Sequence, residues 1–175
     1  MGIYLFIVLC YSLLLNTLLY GKSITITNKD EKFLNIQDII NNNQDEELIL
    51  NFSDCYYNMD ELIFSNNVST LTNITFIGNN NGTVFDYNED IRGTFMFKFN
   101  NSKKKYVTYK NIIFKNFTGT KSGISIVRAD LSNNDFLIFE NCTFQNNALD
   151  SINVFMSCTQ PSHNEPNFIF NNCNF

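Results

Sequence analysis

Hydrophobic and polar positions change their period twice along this 175-residue chain. Residues 3–20 are almost continuously apolar, interrupted only by Ser12, Asn16 and Thr17. Ile24-Thr-Ile-Thr27 then alternates, as a short strand does. Asn28 with Glu31 three residues later approximates a capping box, and Phe33, Ile36, Ile39 and Ile40 follow at helical spacing before Asn41 to Asn43 interrupt the pattern. The spacing predicts a short amphipathic helix of about three turns. From Glu47 onward no long helical period survives. Short runs of β-branched, Leu and Phe residues predict strands at 48–52, 62–64, 71–77, 84–87, 95–99, 106–117, 124–127, 136–144, 152–155 and 168–170, separated by Asn, Asp, Gly and Ser.

Several of these strands repeat one signature. Asn73-Ile-Thr-Phe-Ile-Gly-Asn79, Asn111-Ile-Ile-Phe-Lys-Asn-Phe117, Phe136-Leu-Ile-Phe-Glu-Asn-Cys-Thr-Phe144 and Asn167-Phe-Ile-Phe-Asn-Asn-Cys-Asn-Phe175 align on Phe76, Phe114, Phe139 and Phe170, spaced by 38, 25 and 31 residues. A constant strand with variable spacing is what a coil with adjustable loops produces. Within each segment Ile74/Phe76, Ile112/Phe114, Leu137/Phe139 and Phe168/Phe170 share one parity and polar residues take the other, so one face is apolar. Two residues after the last three Phe come Asn116, Asn141 and Asn172. Stacked one rung apart at about 4.8 Å, their amides would form a ladder beside stacked Phe114, Phe139 and Phe170.

These residues resemble the right-handed parallel β-helix, pectin-lyase-like superfamily in its repeat-bearing secreted and surface form. The Phe-x-x-Asn pattern at Phe64 to Asn67, Phe76 to Asn79, Phe97 to Asn100 and Phe144 to Asn147 is similar to the repeat of chlamydial polymorphic outer membrane proteins. Phe117-Thr-Gly-Thr-Lys-Ser-Gly-Ile124 looks like a degenerate form of that family's second motif. The whole layout is similar to secreted β-helix proteins of anaerobic gut fungi. The expected fold is therefore all-β, a right-handed parallel β-helix over 46–175, preceded by a strand and capping helix over 24–45. The helix would close the N-terminal end of the solenoid, where unpaired backbone invites association. The sequence stops inside a repeat, which predicts a longer solenoid or a terminal rung that pairs with a partner.

Composition narrows the class. With 44% apolar and 17% charged residues, the chain can build one real core and is no disordered polyelectrolyte. A net charge of −5 with 12 scattered Lys and Arg predicts no nucleic-acid partner. The apolar run with Gly21 and Ser23 behind it reads as a signal peptide over 1–23, the alternative being an uncleaved membrane anchor. Asn51, Asn67, Asn73, Asn81, Asn100, Asn116 and Asn141 each begin N-x-S/T, and Asn81 and Asn100 are the most loop-like. Export then leaves Cys55, Cys142, Cys158 and Cys173, without metal-ligand spacing, so no metal or cofactor is predicted. Cys142 and Cys173 hold equivalent places in consecutive repeats and would make either a disulfide or a buried thiol stack.

Candidate chemistry is sparse. The resemblance implies carbohydrate-active relatives using a calcium-bound Asp cluster with a basic residue, or paired acids on neighbouring rungs. Asp86 with Asp90, Asp130 with Asp135, and the two arginines Arg92 and Arg128 are the candidates, and they fit turn carboxylates better than any lyase or hydrolase motif. His163 sits in a polar turn without a nucleophile elbow. Tyr56, Tyr57, Tyr87, Tyr106 and Tyr109 form a candidate sugar-stacking row, with ordinary packing the simpler reading. The expected role is that of a secreted or cell-surface non-catalytic protein binding a cell-wall polysaccharide or surface protein; the alternative is a polysaccharide lyase, glycoside hydrolase or inactive remnant.

Overall fold

Alternating strands with a single apolar face must either pair two sheets or coil around their own interior. This chain coils. The computed structural model describes residues 21–99, 103–119, 124–147, 151–156 and 166–175. The apolar run over 1–20, Asn100, Cys158 and His163 lie outside the described residues.

The result is an all-β parallel solenoid of about five turns. A first sheet stacks β1 (Lys22–Ile26), β2 (Leu48–Phe52), β5 (Ile74–Ile77), β8 (Lys105–Lys110), β11 (Asp135–Glu140) and β14 (Phe168–Asn171) in that order. A second stacks β3 (Tyr56–Asn58), β6 (Thr83–Asp86), β9 (Ile112–Lys115) and β12 (Thr143–Gln145). The third stacks β4 (Ser65–Thr70), β7 (Thr94–Phe99), β10 (Val127–Leu131) and β13 (Ile152–Met156). Every pairing is parallel, and each of the four turns from β2 to β13 contributes one strand to each wall, β1 and β14 adding to the first sheet alone.

Register follows from the inward side chains. In the first sheet Leu50, Phe76, Tyr109, Phe139 and Phe170 face one another rung by rung. Their rings stack at 4.5 Å for Phe76 and Tyr109, 5.2 Å for Tyr109 and Phe139, and 5.2 Å for Phe139 and Phe170. The second sheet builds its own column from Tyr57, Phe85, Phe114 and Phe144. Phe139 meets Phe114 edge-on across the interior, at 6.0 Å and 73°. Offset stacks within a column and edge contacts between columns are the geometries that aromatic quadrupoles favour, adding about 0.5–1.5 kcal/mol per pair beyond burial.

Two short helices precede the second turn of chain: α1 (Glu31–Leu34) and α2 (Ile36–Asn41). The single three-turn helix expected from the spacing is broken at Asn35, whose side-chain and backbone nitrogens both donate to the Glu31 carbonyl. Asp30, not Asn28, provides the N-cap, accepting from Lys32 N at 3.0 Å. Phe33, Ile36 and Ile40 are buried in the core. The polar side of this segment meets the outer edge of β4. Gln37 accepts from Asn67 N, Asn41 pairs with Asn67 O and Ser69 N, and Gln44 pairs with Ser69 O and Leu71 N. Side-chain amides thus satisfy a row of backbone groups as a neighbouring strand would.

Two tyrosine hydroxyls of the core stand apart from this economy. Tyr87 and Tyr109 are fully buried, and neither hydroxyl has a hydrogen-bond partner among the described residues. Burial pushes both phenols well above their ordinary value of 10.0. The unfolded chain ionises near that value while the fold keeps the proton, so their contribution is present below about pH 10 and lost as pH rises further. Tyr109→Phe and Tyr87→Phe should leave stability at pH 7 unchanged or raised, by about 1 kcal/mol at most, because an orphaned hydroxyl is removed. Both should flatten the alkaline limb of a denaturant-unfolding series. Phe139→Ala in the same column should cost about 3–5 kcal/mol at every pH.

Candidate functional site

The concentrated polar features of the solenoid lie at its corners. Several corners leave one wall for the next through a residue in the left-handed region, where a Cβ normally clashes and Asn is the non-glycine residue that adopts it most readily. Asn111 (φ 56°), Asn141 (φ 53°) and Asn172 (φ 52°) occupy the corner between the first and second sheets. Asn116 (φ 59°) and Asn146 (φ 53°) occupy the next corner.

Each set forms a hydrogen-bonded ladder. Asn172 Nδ2 donates to Asn141 Oδ1 at 2.8 Å, and Asn141 Nδ2 donates to Asn111 Oδ1 at 3.3 Å. In the second ladder Asn146 Nδ2 donates to Asn116 Oδ1 at 2.7 Å, and Asn116 Nδ2 to Asp86 Oδ1 at 2.9 Å. Asp86 is a fitting terminus because a carboxylate only accepts. Its Oδ1 also receives Asn88 N at 3.0 Å. Asn88 Nδ2 in turn reaches Asn58 Oδ1 at 2.8 Å and Asp60 Oδ2 at 3.0 Å. Partial burial, then the Asp86 carboxylate, pushes the neighbouring Tyr56 phenol up.

The sequence alignment assigned one ladder where there are two. Asn141 and Asn172 share a corner, as do Phe139 and Phe170 a column, but Asn116 and Phe114 belong to the second set. Reading 106–117 as a single strand hid the corner at Asn111. The local rule of an aromatic followed two residues later by Asn is correct, yet it occurs twice per turn: Tyr109/Asn111 with Phe114/Asn116, and Phe139/Asn141 with Phe144/Asn146. Tyr109-Lys-Asn111, with Tyr standing for Phe, was the overlooked signal.

The first ladder stops where the chain uses glycine. Gly78 is level with Asn111, and a Cβ there would run into the Asn111 carbonyl oxygen. The backbone instead leaves the rung in a turn closed by Gly82 N on Asn79 O at 2.9 Å.

The candidate acids are held in separate structural roles. Asp90 receives Ile91 N, Arg92 N and the Arg92 guanidinium, which lies at 2.9 Å and holds the carboxyl below the usual range. Asp135 is buried and accepts from Ser132 N and Oγ through Oδ2. It stands level with buried Lys105, whose ammonium is pushed down by desolvation and partly restored by Asp135. Asp130 lies 3.8 Å from Arg128 Nε on the outer surface of the third sheet. Of the tyrosine row, Tyr57, Tyr87 and Tyr109 are core residues, leaving Tyr56 and Tyr106 at the surface. Among the described residues no cluster of three or more His, Cys, Asp or Glu could hold a metal ion.

The Cys142–Cys173 disulfide is not formed. Both thiols are free, and each turns toward backbone carbonyls: Cys142 Sγ lies 3.5 Å from Tyr109 O, Cys173 Sγ 3.4 Å from Phe139 O. Parallel Cβ directions on adjacent rungs do not aim the two sulfurs at each other. Burial pushes the Cys142 thiol up to about 12, whereas Cys55 is exposed.

Comparison with protein-family models, curated proteins and solved structures found no match to this chain. Its class rests on the geometry alone: an all-β parallel solenoid with amide-laddered corners.

Two substitution series test these assignments. Asn141→Gly keeps the left-handed backbone and loses the ladder, so it should cost about 1–3 kcal/mol in chemical unfolding. Asn141→Ala should cost about 1–2 kcal/mol more, the left-handed penalty of a Cβ without a carboxamide. Native alkylation at pH 8 followed by peptide mass mapping should label Cys55 fast and leave Cys142 unlabelled until denaturant is added.

Proposed function

We propose that this is a secreted or cell-surface, non-catalytic solenoid whose broad first sheet binds an extended cell-wall polysaccharide. The observation that carries the reading is the outward surface of that sheet. Ser23, Ile49, Thr75, Thr108, Ile138 and Ile169 form one register row across six strands, each exposed or half-buried except Thr108, which is buried. Thr25, Asn51, Ile77, Lys110, Glu140 and Asn171 form the next. At about 4.8 Å per strand the rows span some 24 Å. Apolar Ile side chains beside Thr hydroxyls and an Asn amide suit the mixed apolar and hydroxylated faces of a sugar chain.

Further support is chemical. Asp86 belongs to a ladder, Asp90 to its Arg92 turn and Asp135 to its Ser132 turn, so three of the four candidate acids have a structural use, and Asp130 lies at the surface near Arg128. The pectin-lyase-like resemblance of the Phe-x-x-Asn repeats favours a right-handed coil and an extracellular setting. The N-terminal helices, with their amides along the β4 edge, are read as the cap of that coil.

Cosedimentation with a panel of insoluble cell-wall polysaccharides tests the reading. The parent chain should pellet with at least one polymer, and the Ile49→Glu/Ile138→Glu double variant should bind about ten-fold more weakly, a loss near 1.4 kcal/mol, with its unfolding midpoint little changed. A parent that stays in the supernatant with every polymer removes the glycan-binding role. Release of reducing ends or unsaturated uronides by the parent removes the non-catalytic one.

A further inference from the structure

We propose that Asn81 is a position at which this fold carries an N-linked glycan, while a glycan at Asn116 or Asn141, which head the same N-x-S/T signal, is incompatible with the laddered fold. The inference rests on the export reading above. The chemistry falls on one atom. The carboxamide Nδ2 displaces a diphosphate from the anomeric carbon of an activated oligosaccharide donor. A C–N bond forms, the C–O bond to diphosphate breaks, and the nitrogen gives up one proton. What remains is a nitrogen with one hydrogen and a bulky substituent that requires solvent.

Asn116 is half-buried and Asn141 exposed, but both spend nitrogen and oxygen of the carboxamide on neighbouring rungs of the folded chain. Asn116 Nδ2 lies 2.9 Å from Asp86 Oδ1 while its Oδ1 accepts Asn146 at 2.7 Å. Asn141 Nδ2 lies 3.3 Å from Asn111 Oδ1 while its Oδ1 accepts Asn172 at 2.8 Å. In either case a sugar on Nδ2 would stand where the adjoining rung's side chain already is, one strand spacing of about 4.8 Å away. Asn51 and Asn67 also commit their nitrogens, to Ser23 Oγ and Ser65 O, and Asn73 commits its oxygen to Tyr106 N.

Asn81 differs in each respect. It is exposed at the tip of the Asn79–Gly82 turn, and its side chain makes no hydrogen bond to any described residue. Beside it runs a groove of about 220 Å³ lined by Asn80, Gly82, Asn111, Ile113 and Thr143, a polar bed for the first sugar. Thr83, the third residue of the signal, is fully buried. Its Oγ1 donates to Asp54 O at 3.1 Å and accepts from Asn79 N at 3.0 Å. A transferase that reads the Thr hydroxyl must therefore act before this rung closes. Transfer occurs on the unfolded chain, and folding then tolerates the product at Asn81 and rejects it at the ladder positions.

The test expresses the full chain in a eukaryotic secretory host, once with its own N-terminus and once with a host leader placed ahead of Met1. Site occupancy is mapped by glycosidase treatment and mass spectrometry on the soluble, protease-resistant fraction. Asn81 should be occupied and Asn116 and Asn141 unmodified, and Asn81→Gln should remove one glycan-sized mobility step without loss of soluble protein. An unoccupied Asn81 in the leader-driven, lumenal chain overturns the assignment. So does a soluble, protease-resistant molecule carrying a glycan at Asn116 or Asn141. If the leader-driven chain is glycosylated at Asn81 while the chain's own N-terminus fails to deliver it, the assignment stands and the export reading alone falls.

Discussion

A corner that must turn left-handed without losing its hydrogen bonds governs this molecule. An L-residue in that conformation costs about 1–2 kcal/mol, and glycine, which avoids the cost, brings no side chain. Asn tolerates the backbone and carries a donor and an acceptor on opposite sides of one short group. Repeated at one level per turn, the carboxamides bond along the solenoid axis and lock neighbouring rungs to the same register. Because each corner Asn follows an inward aromatic by two residues, fixing Asn111, Asn141 and Asn172 also fixes Tyr109, Phe139 and Phe170 into a stack. Core packing and corner bonding are one constraint expressed twice.

This coupling explains why the architecture was legible and its period was not. Parity within each segment identified the buried face, and the recurrence of aromatic and Asn identified a parallel coil. The alignment then failed by one corner because both corners carry the same local signature, five residues apart, so matching Phe114 to Phe139 scored as well as matching Tyr109 to Phe139. Only the uniform step of 30 or 31 residues linking the ladder partners separates the two choices, and the loop at 78–82 breaks that step in the first of the aligned segments. The helix boundary was missed for another reason. The Asn35 side-chain nitrogen donates to the Glu31 carbonyl that already accepts the Asn35 backbone N–H, a local bond that hydrophobic spacing does not register.

The edges obey the same economy with different residues. Backbone groups on β4 are met by Gln37, Asn41 and Gln44, amides at intervals of four and three that suit one helical flank. At the opposite end Phe170 and Phe175 keep 37% and 80% of their surface exposed. Amide side chains therefore do three jobs in one chain: they turn corners, join rungs and cover an edge. An Asn count near 30 is intelligible on those terms, since a shorter or charged side chain would fail at one of the three.

Function in such a scaffold is confined to what the constraint leaves over. The interior is filled by aromatic columns, and the corner amides are spent on one another. Freedom remains on the outward rows and in the loops that leave the rungs. The contrast is visible within the first sheet: its inward positions keep to large apolar side chains from Leu50 to Phe170, while the outward row runs from Ser23 through Thr75 to Ile169. The inward column is dictated by packing, so its residues say little about role; the outward one is not, so its mixture of hydroxyl and aliphatic groups is where a ligand would have left its mark. Two of the acids show the same confinement: Asp86 and Asp135 are buried and bonded into a corner and a turn of the fold.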